Sequence, residues 1–357
     1  FLLAGLSLGL GLHGYSSARI LPLVVSAVFL VYFLFLKKKQ ERRELIWVYI
    51  LVALAAFFVF LPLFRYIIEN PAMFSYRATS RLLPVEQKYP GNPILIFLTN
   101  FWKAMTMFFY DNGVIWVHSI PNRPALDIVS AALYFIGTSF AIVESIRKKN
   151  WLMIAILISI PLLLMPSILS LAFPSENPCL NRTGGAYVLT FVLAGYGWVQ
   201  IANYFSGGQR NKERTLLLIG ITLCCVFICS FQNYALVFRQ YRQEYDLNAW
   251  NTSEIAKEIK RFSQNGGELG DAFVVPYPYW VDTRLVGINL GLPRKDYAIW
   301  PEDFAKIKQT AGAYLFIIKP EDSADLSLLQ AMFPNSSLVT YQSKIPGKNF
   351  IEFFVQN

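Results

Sequence analysis

Six apolar runs, each close to the roughly 20 residues a helix needs to cross a bilayer, constrain this chain more than any other feature. They cover residues 18–36, 45–64, 125–146, 151–173, 186–205 and 215–238. Inside hydrocarbon every backbone N–H and C=O must find its partner within the protein, so each run is expected to be helical. The interiors of the runs beginning at Leu45, Trp151, Ala186 and Thr215 hold no charged side chain. Composition agrees: 55% of residues are hydrophobic and 15% charged, against about 25% charged in soluble domains. The expectation is a polytopic α-helical membrane protein.

The net charge of +9 would suggest nucleic acid in a soluble protein, but no nucleic-acid motif is present. The basic residues gather instead in short turns: Lys37, Lys38, Lys39, Arg42 and Arg43; Arg147, Lys148 and Lys149; Arg210, Lys212 and Arg214. The positive-inside rule puts these three turns in the cytoplasm. Alternation then puts residues 13–17, 65–124, 174–185 and everything after Arg239 outside. This gives two domains, a transmembrane domain over residues 1–238 and an extracytoplasmic one over 239–357, in a multi-pass protein of the cytoplasmic membrane.

Within the outer loop of residues 65–124, Asn70-Pro71 and Asn92-Pro93 each read as a helix cap followed by proline at the first helical position. The second opens NPILIFLTNFWKAMTMFFYDNG, read as a helix lying in or dipping into the outer interface. After Arg239 the pattern alternates. NTSEIAKEIKRF, WVDTRLVGINLG and EDSADLSLLQAMF read as helices, and DAFVVP, GAYLFIIKP, SSLVTYQ and NFIEFFVQ as strands. A small α/β domain is expected, without a Gly-rich phosphate loop.

Three of the four cysteines (Cys179, Cys224, Cys225, Cys229) lie in an apolar run and read as buried thiols. The only histidines are His13 and His118, so no metal-ligand spacing is present. Asn181, Asn251 and Asn335 open glycosylation sequons, a motif frequent by chance. Residues 1–12 span only about 18 Å as a helix, so the chain is expected to begin inside a membrane helix with part of the protein preceding Phe1.

Unusual charges sit at the outer ends of the runs: Arg19, Arg65, Glu69, Arg77, Arg81, Asp127, Glu176 and Arg182. In LHGYSSARILP, Tyr15 and Arg19 fall at head-group depth, where arginine can pair bidentately with phosphate or serve as an interfacial anchor. Arg77 and Arg81, four apart in FSYRATSRLLP, share a helix face; they bind an anion or are solvated loop charges. Glu176 and Arg182 read as a surface pair.

Several stretches together resemble the GT-C integral membrane glycosyltransferases, the group of protein O-mannosyltransferases and lipid A aminoarabinose transferases. They are GLSLGLGLHGYSSARILPLVV, FLPLFRYIIENPAMFSYRATSRL, GVIWVHSIPNRPALDIVSAALYFIG, PSENPCLNRTGGAYVLTFVLAGYG and VVPYPYWVDTRLVGINLG. The resemblance implies transfer of a sugar from a polyprenyl-phosphate donor to a lipid, glycan or protein acceptor outside the cytoplasmic membrane. It implies Tyr15, Arg19 and Arg182 as donor-phosphate ligands, with Arg77 and Arg81 in a loop that closes over the carrier. Where the family often has a leucine-arginine pair, Asn181 here separates Leu180 from Arg182. The family's catalytic acid lies in a first outer loop with no counterpart in this sequence, so no catalytic base is assigned. No cofactor is evident; some members use a divalent ion, but no ligand cluster is visible. The competing readings are a transporter or flippase for a lipid-linked sugar, and a non-catalytic membrane scaffold. The topology is testable directly: a cysteine replacing Lys38 should resist a membrane-impermeant maleimide added to intact cells and react after permeabilisation. Labelling from outside would invert the arrangement.

Overall fold

A computed structural model describes residues 1–206, 212–308 and 312–356. The basic turn assigned to Arg210 lies partly outside the described residues. The chain divides into two compact units, Phe1–Tyr241 and Arg242–Asn357.

The first unit is helical. In chain order it holds α1 (Leu2–Gly11), a 3-10 turn at Ser16–Ile20, α2 (Leu21–Phe35), α3 (Lys39–Glu69), α4 (Pro71–Leu82), α5 (Pro93–Thr106), α6 (Ile128–Arg147), α7 (Trp151–Ile168), α8 (Leu180–Ser206) and α9 (Lys212–Ala235). A π-helical turn at Leu236–Gln240 leads into α10 (Tyr241–Asn248). Among the described residues, six helices are long and apolar enough to cross a membrane: Ser16–Phe35, Lys39–Glu69, Ile128–Arg147, Trp151–Ile168, Leu180–Phe205 and Lys212–Asn248. Each overlaps one of the six apolar runs.

The helix ends depart from the ends of the runs, for identifiable reasons. α3 extends outward at both ends because polar residues continue it, with Gln40–Glu44 and Arg65–Glu69 pairs at i,i+4 spacing. α7 stops at Ile168 instead of reaching Phe173, because Asn100 of α5 donates to the carbonyls of Ile168 (3.0 Å) and Ser170 (3.4 Å). α8 starts at Leu180, six residues before the apolar run, so Arg182 lies in its first turn rather than in a loop. α5 has 14 residues, about 21 Å, too short to cross. Asn92 caps it through Ile94 N (2.9 Å) and Leu95 N (3.4 Å), as Asn-Pro predicts. Asn70 occupies the cap position of α4, but its side chain makes no cap bond.

Small residues let the helices touch backbone to backbone. On α6 and α8, a Cβ at Gly137 would overlap the Leu193 carbonyl oxygen, and one at Gly197 that of Leu133. Gly5 and Gly9 of α1 press likewise on the Val52 and Ala56 carbonyls of α3. Around these contacts Ala104, Met107, Phe108, Leu164, Ile168, Ala186 and Leu193 are fully buried. Tyr32, near the end of α2, packs on Trp151 at the start of α7, ring centroids 4.5 Å apart. That contact puts the 37–43 and 147–149 basic turns at the same end of the unit. α5 turns Asn100 inward and exposes Ile94, Leu95, Leu98 and Trp102, the inverse of a soluble amphipathic helix.

The second unit is built on a mixed four-stranded sheet ordered β1 (Ala272–Val274), β2 (Ala313–Ile318), β4 (Phe350–Gln356), β3 (Ser337–Tyr341). β1 runs parallel to β2; β4 is antiparallel to both of its neighbours. α11 (Thr252–Gln264) and α12 (Thr283–Asn289) cover one face through Ile255, Ile259 and Val286. α13 (Phe304–Lys308) and α14 (Ser323–Met332) cover the other through Phe304 and Leu329. AYLFII of β2 is apolar throughout because both its faces are buried. In this unit Asp282 caps α12 by receiving Arg284 N at 2.9 Å, while Asn251, just before α11, turns its amide to Glu254. Gly137→Val is expected to cost about 1–3 kcal/mol or more through overpacking of α6 on α8, read as a lower thermal midpoint in detergent. Gly184→Ala, where no atom lies within 4 Å, should leave the midpoint unchanged.

Candidate functional site

The break after α1 is where polar side chains first converge. α1 closes on Leu12, and the chain turns through His13 and Gly14. His13 Nε2 lies 3.0 Å from the Val59 carbonyl, one residue from the Phe58 carbonyl that Pro62 deprives of its helical donor. The 3-10 turn from Ser16 then projects Arg19 toward α4. Its Nη1 donates to the Phe74 carbonyl at 2.8 Å, and the guanidinium lies 3.7 Å from the Phe74 ring centroid. Its Nε is buried without a hydrogen-bond partner. The Tyr15 hydroxyl accepts from Asn181 Nδ2 at 3.1 Å.

The segment between α7 and α8 supplies the opposite charge. Glu176 lies between two arginines: Arg182 Nη2 on its Oε2, and Arg81 Nη1 3.5 Å from its Oε1. Arg81 also stands 3.8 Å from Glu86 and stacks on Phe173, 4.0 Å to the centroid, and its Nε is buried without a partner. Arg182 Nη1 donates to Ser170 Oγ at 3.1 Å. A backbone bond from Ala172 N to Arg81 O (3.0 Å) fixes α4 to this segment. The side chains of Arg182, Arg81 and Glu176 are 15%, 20% and 27% exposed. The Glu176–Arg182 pair is therefore largely buried, not the surface pair the sequence suggested.

Arg77 shares a helix with Arg81, yet its surroundings differ. It is exposed, beside the Tyr76–Glu86 pair. The hydrogen bond between those two pushes the Tyr76 hydroxyl up and holds Glu86 below the usual carboxylate range. Arg81 and Arg182 thus meet at Glu176, Tyr15 joins the start of α8 through Asn181, and Arg19 docks separately on α4 at Phe74, while Arg77 is exposed. Arg77, Arg81 and Arg182 against Glu86 and Glu176 leave this region cationic.

Beneath it lies a network the sequence did not reveal as a site. Asn177 Nδ2 donates to the Asn100 carbonyl (3.0 Å), Ser167 Oγ to Asn177 Oδ1 (2.7 Å), and Cys179 N to Ser167 Oγ (3.0 Å). Asn100, a polar residue in the largely apolar α5, was the available signal. Cys179 Sγ donates to Asn181 Oδ1 at 2.8 Å and stands 3.9 Å from His118 Nδ1. Burial pushes the Cys179 thiol up, and burial with the nearby Arg182 charge pushes His118 down, so both are neutral near pH 7. They frame the cluster and do not form a thiolate–imidazolium pair.

Chemically, the cluster holds guanidinium groups largely shielded from water, and Arg19 and Arg81 each have a buried Nε without a partner. Such an arrangement suits an anion that is itself partly desolvated. Among the described residues, no group of three or more His, Cys, Asp or Glu side chains could hold a metal ion. Compared with protein-family models, curated proteins and solved structures, the chain matches none of them. Glu176→Gln is expected to lower stability by about 1–3 kcal/mol, because it removes the negative charge and one of the two acceptor oxygens and sets an amide NH2 against a largely buried guanidinium donor. Arg65→Ala, which removes the exposed Arg65–Glu69 pair, should cost less than about 1 kcal/mol. Thermal unfolding of both variants in detergent makes the comparison.

Proposed function

We propose that this chain carries the donor-binding part of a membrane glycosyltransferase of the GT-C kind, acting on a polyprenyl-phosphate-linked sugar. The observation that carries the reading is the meeting of Arg81 and Arg182 at Glu176, with Arg19 docked on the same α4 helix at Phe74, at the end of the helical unit remote from the Tyr32–Trp151 contact. A lipid-borne phosphate presents its charge at the end of a bilayer-crossing helix, beside uncharged apolar surface, and both halves of that environment are present here. The sequence resemblance supplies the reaction class. In this reading the basic turns face the cytoplasm, and the sheet-containing unit is a small α/β domain on the outer side of the cytoplasmic membrane. The acceptor is a lipid, glycan or protein.

In the transfer, the bond between the sugar's anomeric carbon and the carrier phosphate oxygen breaks. Negative charge then grows on the departing phosphate. Arg19 and Arg81 offer it their unsatisfied Nε–H groups, and Arg182 adds fixed positive charge. Donors aimed in advance at developing charge in a dry site lower the barrier without reorganisation. Glu176 holds Arg81 and Arg182 in place before the donor arrives. The base that accepts the proton of the acceptor hydroxyl or amine is not assigned among these residues.

Arg19→Ala is expected to reduce sugar transfer from polyprenyl-phosphate donor in membranes by roughly ten- to hundredfold, the value of one or two charge-assisted hydrogen bonds. Arg65→Ala at the same end should be neutral. Unchanged turnover and donor affinity in Arg19→Ala would remove Arg19 from the site.

A further inference from the structure

The second unit contains an acid where its strand pattern calls for a hydrophobe. β4 alternates across the sheet, so Phe350, Glu352 and Phe354 share the face beneath α11. Phe350 is fully buried in the core there, and Phe354 packs against it. Glu352, between them, is 6% exposed, and its Oε1 has no hydrogen-bond partner. It forms part of an open cleft of about 590 Å³ whose lining also includes Glu258, Phe262, Asn265, Asn335 and Phe354.

The charged neighbours of Glu352 can be named element by element. From α11 come Glu258, whose side chain is 13% exposed, and Arg261, which lies 3.4 Å from Glu258 and is itself 70% exposed. From β3, Val339 sits directly opposite Glu352 in register, and Tyr341 is the titratable side chain of that strand. β2 brings Ile317 alongside. No lysine or histidine lines the cleft among the described residues. Arg261 is committed to Glu258, so the cleft keeps an excess of carboxylate over cation.

From this geometry we infer that the cleft is a binding site for a protonated organic amine, with Glu352 and Glu258 as its acceptors. An ammonium group carries three donors and no acceptor, which suits two carboxyl groups whose one cation in the cleft lining, among the described residues, is the exposed Arg261. It would supply the partner that Glu352 Oε1 lacks. The rings of Phe262 and Phe354, centroids 6.4 Å apart, add faces on which a cation or an apolar body can rest. Burial, with Glu258 close by, pushes Glu352 up to about 7. A proton therefore occupies the site below that pH, and the amine must displace it. Binding strengthens as pH rises through 7. This site stands independently of the carrier-phosphate reading, because it uses none of the same residues.

The test uses the whole chain in detergent with benzylamine as the probe and benzyl alcohol as its neutral counterpart, followed by titration calorimetry at pH 6 and pH 8. Benzylamine should bind saturably, about tenfold tighter at pH 8, and benzyl alcohol should not bind. Glu352→Gln, of nearly the same volume, should weaken binding and abolish the pH dependence. Three results would overturn the proposal: no saturable benzylamine binding at pH 8, equal binding of the alcohol, or affinity unchanged between the two pH values. A carboxyl–carboxyl contact that is structural only would show as stability falling from pH 6 to pH 8 with no amine bound. The wild-type arms decide the matter even if the variant does not fold.

Discussion

A charge at the bilayer centre costs about 3 kcal/mol on insertion scales, and this chain responds by gathering charge where its helices end. The middle stretches of α3, α7, α8 and α9 carry none. At the end of the helical unit where Tyr15 meets Asn181, arginines from three different segments accumulate. They are only partly in water, so each needs an acceptor or an aromatic face. Glu176 serves Arg81 and Arg182 at once, and the Phe74 and Phe173 rings cover the flat faces of Arg19 and Arg81. The cluster is a direct consequence of clearing the helix interiors.

The helices beneath are held together without the hydrophobic force that drives soluble packing, because lipid is as apolar as leucine. Two substitutes operate. Glycines at 5, 9, 137 and 197 bring backbones into contact, and buried amides join elements that sequence alone would leave separate. Asn100 ties α5 to the end of α7, and Asn177 returns the bond to Asn100. At the start of α6, Asp127 caps the helix through Val129 and Ser130 and also accepts from Cys229 of α9 at 3.2 Å. These bonds link helices through single acceptors whose alternatives in hydrocarbon are poor.

The second unit has helices on both faces of its sheet and an apolar central strand. Glu352 departs from that consistency. A strand that alternates Phe, Glu, Phe on a buried face gives up apolar burial for a carboxyl whose charged form is disfavoured. Departures of this kind from local rules concentrate at functional positions, which is why the cleft beside it draws attention.

Much of this protein was legible in its linear order. Hydrophobic run length located six helices long and apolar enough to cross a bilayer, Asn-Pro located the start of α5, and alternation with β-branched and aromatic residues located the four strands, because each of these depends on neighbours within a few residues. The basic turns and the outer arginines were likewise visible as charges at the ends of runs. Which arginines meet was not visible. Arg19 finds Phe74 across 55 positions, and Tyr15 finds Asn181 across 166. Arg77, one turn before Arg81 on the same helix, is exposed, whereas Arg81 reaches Glu176 and Phe173. Tertiary structure alone decided where α7 ends, that Arg182 rides the first turn of α8, and that Glu176 is shared. A partly desolvated charge takes whatever partner folding brings within reach, and separation along the chain does not encode that distance.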